Sequence, residues 1–417
     1  MVFRALKYRN FRIFFFGQSI SLIGTWMQYV AMSWLVYRMT NSVFMLGVVG
    51  FASQIPAFIL SPFTGVLADR HNRHKILLFT QALALLPALI LAILTMTGNI
   101  QVWHIIVMGI FLGCVNSLDI PARQSFILQM IEEKENLGNA IALNSMMFNM
   151  ARLIGPSIAG VLIAITGEGM CFLINAISYV AVITSLIAMD EGIKIRKDKK
   201  VDYDIFKDLK EGFNYAFGFK PIRAILLLLS IIGLMGMSYA VLMPVFAKDV
   251  LGGGAYTLGF LMAAVGVGAL AGTVYLASRK KAIALGNTLP VSAGIFGIGI
   301  TAFSFSHNIW LSLLLLFIAG FGIMVQMAAS NTILQTIVDD DKRGRVMSLY
   351  TMAFMGMAPL GSLLAGIIAA RFGASNTLIF SGLCCIIASV IFACRVPSLR
   401  RIVQPIYVKM GIIPEIE

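Results

Sequence analysis

Three ionised side chains stand inside otherwise apolar runs of this chain: Asp119, Arg123 and Arg152. At the centre of a membrane helix each costs roughly 2.5–3.5 kcal/mol, so each calls for a partner or a wet cavity. Asn116, Asp119 and Arg123 recur at i, i+3 and i+7, and Ser145, Asn149 and Arg152 repeat that spacing. Residues so spaced share one helix face. Gln18, Ser21, Thr25 and Gln28 form a third polar stripe, and Gln326, Ser330, Asn331 and Gln335 a fourth. Such stripes line a water-filled path or bond one helix to the next. Asp119 is the one acid in these runs able to carry a proton. Burial favours its neutral form, whereas Arg123 four residues on favours a fixed ion pair, and Pro121 between them loosens that geometry. Carrier and latch are both open on this reading. Two arginines against one aspartate leave the interior net positive, which suits an anionic or neutral ligand that guanidinium forks can grip.

These residues need a membrane scaffold around them. Of 417 residues 59% are hydrophobic and 12% charged, with mean hydropathy +0.88. Soluble domains carry about 25% charged residues, so a disordered chain, a soluble enzyme and a nucleic-acid reader are excluded despite the net charge of +13. No nucleophile motif, Walker loop or dinucleotide fingerprint is present, so no enzymatic activity and no cofactor are expected. The five cysteines fall in apolar runs without metal-ligand spacing, and His71 and His74 read as interfacial basic residues before they read as a metal pair.

Apolar segments start with the run up to Tyr37, kept as a helix and not a cleaved signal because it is too long. Others follow at 43–68, 75–97, 102–127, 137–165, 169–189, 222–247, 255–278, 286–305, 309–335, 344–370 and 375–395. Twelve crossings put both termini in the cytoplasm. Of the 32 lysines and arginines, only Arg38, Lys248 and Arg371 then fall outside and Arg123 and Arg152 deep within spans, Arg223 sitting at the inner start of its own, as the positive-inside rule requires. At an offset of 206, residues 122–167 match 328–373 without a gap at 14 of 46 positions, Gly155 and Gly160 pairing with Gly361 and Gly366. The expected architecture is all-α: two pseudo-symmetric six-helix bundles at 1–189 and 222–396, a cytoplasmic linker at 190–221, and a cytoplasmic tail at 397–417. In the linker, Ile205, Phe206, Leu209, Phe213 and Phe217 predict an amphipathic helix on the inner membrane surface. The tail reads as an interfacial anchor.

The loop Gly65-Val-Leu-Ala-Asp69-Arg70-His-Asn-Arg73-His-Lys75 resembles the first cytoplasmic signature of the major facilitator superfamily, with Asn72 in place of the usual glycine. Arg152-Leu-Ile-Gly155-Pro156-Ser-Ile-Ala-Gly160 is similar to the antiporters' Gly-Pro motif in shortened form. Phe11-Arg-Ile-Phe-Phe-Phe-Gly17-Gln18, Pro121-Ala-Arg123-Gln124 and Phe148-Asn149-Met-Ala-Arg152 resemble the bacterial enterobactin-exporter-like branch, over almost the whole chain.

That resemblance implies a monomeric secondary transporter of the bacterial inner membrane. It would export a small siderophore-like molecule by alternating access, with the proton gradient as energy source. Helices 1, 4, 7 and 10 would line the path with Gln18, Thr25, Gln28, Asn116, Asp119, Arg123, Gln326 and Asn331. Helix 5 would add Asn149 and Arg152. Gly65, Asp69, Arg70 and Arg73 would gate the inner mouth and meet anionic lipid heads, and Gly155-Pro156 would serve as hinge, proton seal or packing contact. Macrolide or multidrug efflux, and a membrane scaffold or sensor that transports nothing, are the alternatives.

Overall fold

The computed structural model describes residues 4–131, 133–189, 205–278, 285–339 and 342–409. The described residues form helices and no strands. After a 3-10 turn at Arg4–Lys7 come α1 (Arg9–Thr40), α2 (Val43–Arg70), α3 (Arg73–Met96), α4 (Val102–Gln129), α5 (Lys134–Thr166) and α6 (Glu168–Ile187). The linker carries α7 (Ile205–Gly218). Then follow α8 (Lys220–Val250), α9 (Ala255–Ala277), α10 (Leu285–Phe303), α11 (Ile309–Ile337), α12 (Arg343–Phe372) and α13 (Ala374–Lys409).

Ten of these helices are long and apolar enough to cross a membrane. The other two expected crossings have physical reasons for standing apart. The 32 residues of α1 are diluted by Gln18, Ser21, Thr25 and Gln28, and the apolar part of α10 is short, Asn287–Phe303.

Local chemistry sets the boundaries. Ser42, Asn72 and Asn308 cap α2, α3 and α11, their side chains accepting from the first free backbone N–H groups. Asn72, the departure from the superfamily's glycine, is therefore the residue that starts α3. Gly167 (φ 84°) and Gly373 (φ 83°) end α5 and α12 at equivalent positions of the two repeats. A side chain there would be strained, which accounts for one of the repeated identities.

Two compact units make up the chain: Met1–Val201 with Met243–Ala263, and Asp202–Leu242 with Ala264–Glu417. In the first, α1 packs on α5 and α6, α2 on α4, and α3 on α4 and α6. In the second, α10 packs on α11 and α13. A methyl group at Gly155 would strike Trp26 of α1, and one at Gly361 would strike the Leu234 carbonyl of α8. The repeats thus share a close helix crossing. They differ in its regularity: α8 is wound as π-helix at Ile232–Gly236 and Phe246–Val250, and α12 at Met352–Gly356, whereas α1 and α5 are α-helical throughout.

Two expectations gain detail. The segment beyond Pro397 is continuous with the last apolar helix, because α13 runs through Pro397 and Pro405 to Lys409. Val403 and Tyr407 lie buried on one face of that extension, and this packing supports the helix past its two interior prolines, each of which is unfavourable in a helix interior. The linker helix is present, but it does more than lie on a surface. Glu211 pairs with Arg345 at 2.6 Å, Tyr215 donates to Asp339 at 3.0 Å, and Gly212 sits on the Arg345 side chain. The side chains of Ile205, Phe206 and Leu209 lie outside the described residues.

Candidate functional site

Asp119 and Arg123 face inward on α4, both at least nine-tenths buried. Asp119 Oδ1 accepts from Thr80 (2.8 Å) and Gln81 (2.7 Å) of α3, and Oδ2 lies 3.7 Å from Arg123 Nε. That last separation is an ion pair and too long for a hydrogen bond. Pro121 therefore leaves the i, i+4 geometry loose enough that α3, more than Arg123, fixes the carboxylate. Gln81 Oε1 beside it is buried with no hydrogen-bond partner, an acceptor open to a water or a transient donor.

The arginines are also held by aromatic faces. Arg123 lies 5.3 Å from the centre of the Phe148 ring and Arg152 5.8 Å from that of Trp26, cation–π contacts that strengthen out of water. Tyr179 of α6 is buried and interacts with Thr25 and Asn175. Asn175 donates to Gln28 Oε1 at 2.7 Å and accepts from Ser178 at 3.1 Å. Hydrogen bonds thus join α3 to α4 at Asp119 and α1 to α6 at Asn175.

Of the residues expected to line a path, Gln18 and Gln28 are buried within the first unit at 2% and 3% exposure. Gln28 spends its carbonyl on Asn175, so it works as a helix-to-helix bond. Thr25, half-buried, also donates to the Ser21 carbonyl. Asn116, Asn149 and Arg152 are half-buried, Asn149 donating to the Ser145 carbonyl. In the second unit Gln326 is fully buried, accepting from Ser292 at 3.1 Å and donating to Ser330 at 3.3 Å. Half-buried Asn331 accepts from Gln335.

Among the expected gating residues, Gly65 has open space around its Cα and Arg70 is exposed. Arg73 is half-buried in the first turn of α3. The side chain of Asp69 lies outside the described residues, as does the loop Arg279–Lys281. Gly155 and Pro156 sit where α5 is clasped on two sides: Gly155 against α1, the Pro156 carbonyl and Gly160 against Gly259 of α9. Close packing at this motif is what the geometry provides. His74 Nε2 lies 2.8 Å from the Leu186 carbonyl and its ring packs on Phe126, so it ties α3 to α6. Among the described residues no cluster of three metal-ligating side chains occurs.

Three groups of residues are visible only in three dimensions. Thr80 and Gln81 are one hydroxyl and one amide in an apolar helix, a signal too sparse to single out. Tyr179 and Asn175 share a face with Ser178 on α6, a triplet that a search for lone polar residues could have found. At the helix ends far from the N-terminus of α1, Arg38 makes two hydrogen bonds to Glu168 (2.7 and 3.0 Å), Tyr37 donates to Asp249, and Lys248 donates to Asn41 at 2.6 Å. Glu168, 5% exposed at its side chain and in the first turn of α6, gains from the helix dipole as well.

The sequence profile of a family described as transmembrane secretion effector matches residues 2–405. The staphyloferrin A transporter of Staphylococcus aureus is 30% identical over 388 residues, 91% of this chain and 94% of that one. Macrolide efflux protein A of Streptococcus pyogenes is 22% identical over 394 residues, 90% and 94% of the two chains. The enterobactin exporter EntS of Citrobacter koseri is 23% identical over 403 residues, covering 95% and 94%. Among solved structures, a POT family transporter in complex with a thioalcohol-conjugated peptide superposes with a TM-score of 0.72 at 14% identity, over 94% of this chain and 96% of that one.

Proposed function

Because this chain belongs to the transmembrane secretion effector family of the major facilitator transporters, we propose that it exports a small anionic or neutral, siderophore-like molecule by alternating access coupled to proton antiport. It is a multi-pass protein of the bacterial inner membrane. In this reading α1 and α10 join the ten apolar helices as crossings, both termini face the cytoplasm, and the protein works as a monomer.

The observation that carries the proposal is the charge inside the first unit. Two guanidiniums, Arg123 and Arg152, accompany one carboxylate, Asp119, and that carboxylate is already engaged by Thr80 and Gln81. A carboxylate- or catecholate-bearing cargo suits such an interior, and a lipophilic cation is repelled by it in low dielectric. Arg152, Asn116 and Asn149, half-buried, are the residues we assign to cargo. Asp119 takes the proton, freeing Arg123. One proton charge moving through about 100 mV yields roughly 2.3 kcal/mol, or about a 50-fold gradient at 1.36 kcal/mol per decade. Asp69, Arg70 and Arg73 serve the inner gate and its anionic lipid surroundings. Similarity to macrolide efflux protein A supports a second reading, efflux of a macrolide.

Counterflow in proteoliposomes tests both. Carboxylate siderophores should move only with a pH gradient, Arg152→Gln should lower the rate about tenfold or more, as expected for a lost charged hydrogen bond, and Asp119→Asn should leave binding but abolish coupling. Preference for a macrolide cation, or transport indifferent to the gradient, overturns the proposal.

A further inference from the structure

The second unit holds a partly open cavity of about 270 Å³ that none of the residues assigned to transport touches. Its walls are Ile225 of α8, Leu289 of α10, Ile337 of α11, and Phe392, Val403 and Tyr407 of α13. The extension of α13 past the last crossing forms one side, its apolar positions recurring at helical spacing through 392, 396, 399, 403 and 407. Arg400 is the cation in this otherwise mostly apolar lining. It is exposed, as are Arg395 and Arg401 on the same helix. Arg400 forms no ion pair with any acid among the described residues. The nearest acid in sequence to the α11 wall, Asp339, is occupied by Tyr215.

From this pairing of an apolar chamber with a cation left for an outside partner, we infer that the cavity binds an acidic phospholipid of the inner leaflet. One acyl chain fills the chamber and the phosphodiester meets Arg400. The volume lies at the low end for small-molecule sites, about 300 Å³, which suits a single chain while the second stays in the bilayer. Basic pockets between helices on the cytoplasmic side hold acidic headgroups in this manner. The chain so placed touches α8, α10, α11 and α13 together, and would tie their cytoplasmic ends into one body.

The inference rests on the cytoplasmic placement of the C-terminal helix proposed above, and its test is independent of cargo and gradient. Purified full-length protein, delipidated and then offered phosphatidylglycerol or phosphatidylcholine, is examined by native mass spectrometry. Wild type should retain phosphatidylglycerol about tenfold better, the scale of one charge-assisted hydrogen bond. Arg400→Gln, on the exposed side of the helix, should erase that preference. Val396→Trp should fill the chamber and lower retention of both lipids. Equal retention of the two lipids by wild type, or an unchanged preference in Arg400→Gln, overturns the inference. So does displacement of the lipid by a soluble carboxylate siderophore, which would make the cavity a cargo site. An error in topology shows separately, as labelling of Arg400→Cys by an impermeant thiol reagent from outside the cell.

Discussion

Glu133 and Asn139 of the first unit hold the turn that precedes α1: Glu133 pairs with Lys7 at 2.9 Å and Asn139 accepts from the Ala5 backbone. In the second unit the residues 206 positions on, Asp339 and Arg345, hold Tyr215 and Glu211 of α7 in the same way. The register even carries over to Ala5 and Glu211. The linker helix is thus the second unit's counterpart of the N-terminal turn, and the duplication reaches further back than the aligned segment 122–167. Inside the units the likeness ends. Arg123 and Arg152 are answered by Ala329 and Ala358, and extending the register puts Val325 opposite Asp119. Where the first unit joins its third and fourth helices through a carboxylate, Thr80 and Gln81, the second joins α10 to α11 through neutral Ser292 and Gln326. The scaffold is kept twice and the buried charge of Asp119, Arg123 and Arg152 once. The π turns of α8 and α12 add that the second repeat holds the less regular helices, a feature found often where function needs it.

Asymmetry of this kind can be broken most forcefully at its charged end. Asp119→Ala strands Arg123 in a buried site and should cost about 3–5 kcal/mol, whereas Gln326→Leu should cost about 1 kcal/mol, since Ser292 also bonds the Thr288 carbonyl. Thermal unfolding midpoints in detergent compare them. Equal shifts would mean that the two interiors are energetically alike.

Gly361→Ala and Gly155→Ala sharpen the shared crossing. Both overpack it by about 1–3 kcal/mol. Gly361→Ala should be the worse, because it meets the Leu234 carbonyl, a backbone atom, while Gly155→Ala meets the Trp26 side chain. The reverse order in the same melts would show that the π turn at Ile232–Gly236 lets α8 give way.

The smallest effect belongs to the clamps. Its bond to Lys7 holds the Glu133 carboxyl below its ordinary 4.5, and the same bond holds the Lys7 amine above its ordinary 10.5. Glu133 therefore contributes above its ordinary value and loses that contribution as pH falls through the lowered one. Lys7 contributes below its ordinary value and loses it as pH rises through the raised one. Between those limits the pair is flat in pH. Lys7 and Glu133 are more exposed than Arg345 and Glu211, so added salt should weaken the first clamp more than the second, as amide exchange at residues 5–8 and 211–215 would report. Identical salt responses would count against the difference.

What could be read beforehand followed the physics of each signal. Charges in apolar runs and a gapless repeat are conspicuous, so Asp119, Arg123, Arg152 and the duplicated helices were legible. The groups that hold Asp119 were not, because Thr80 and Gln81 are isolated polar residues and their meaning depends on which way α3 faces α4. Gln28 was read as path lining because a polar stripe looks the same whether it meets water or Asn175. Pro397 suggested an end, and only the burial of Val403 and Tyr407 shows why the helix continues.

That continuation matters for anyone trimming the protein. A chain stopped after Arg395 would satisfy every tally of bilayer crossings, yet Ile225, Leu289 and Ile337 would lose the cover that α13 supplies. Newly bared greasy surface at that end invites clumping and disposal by cellular quality control, so the last fourteen helical residues are better regarded as a lid sewn onto the body than as surplus thread.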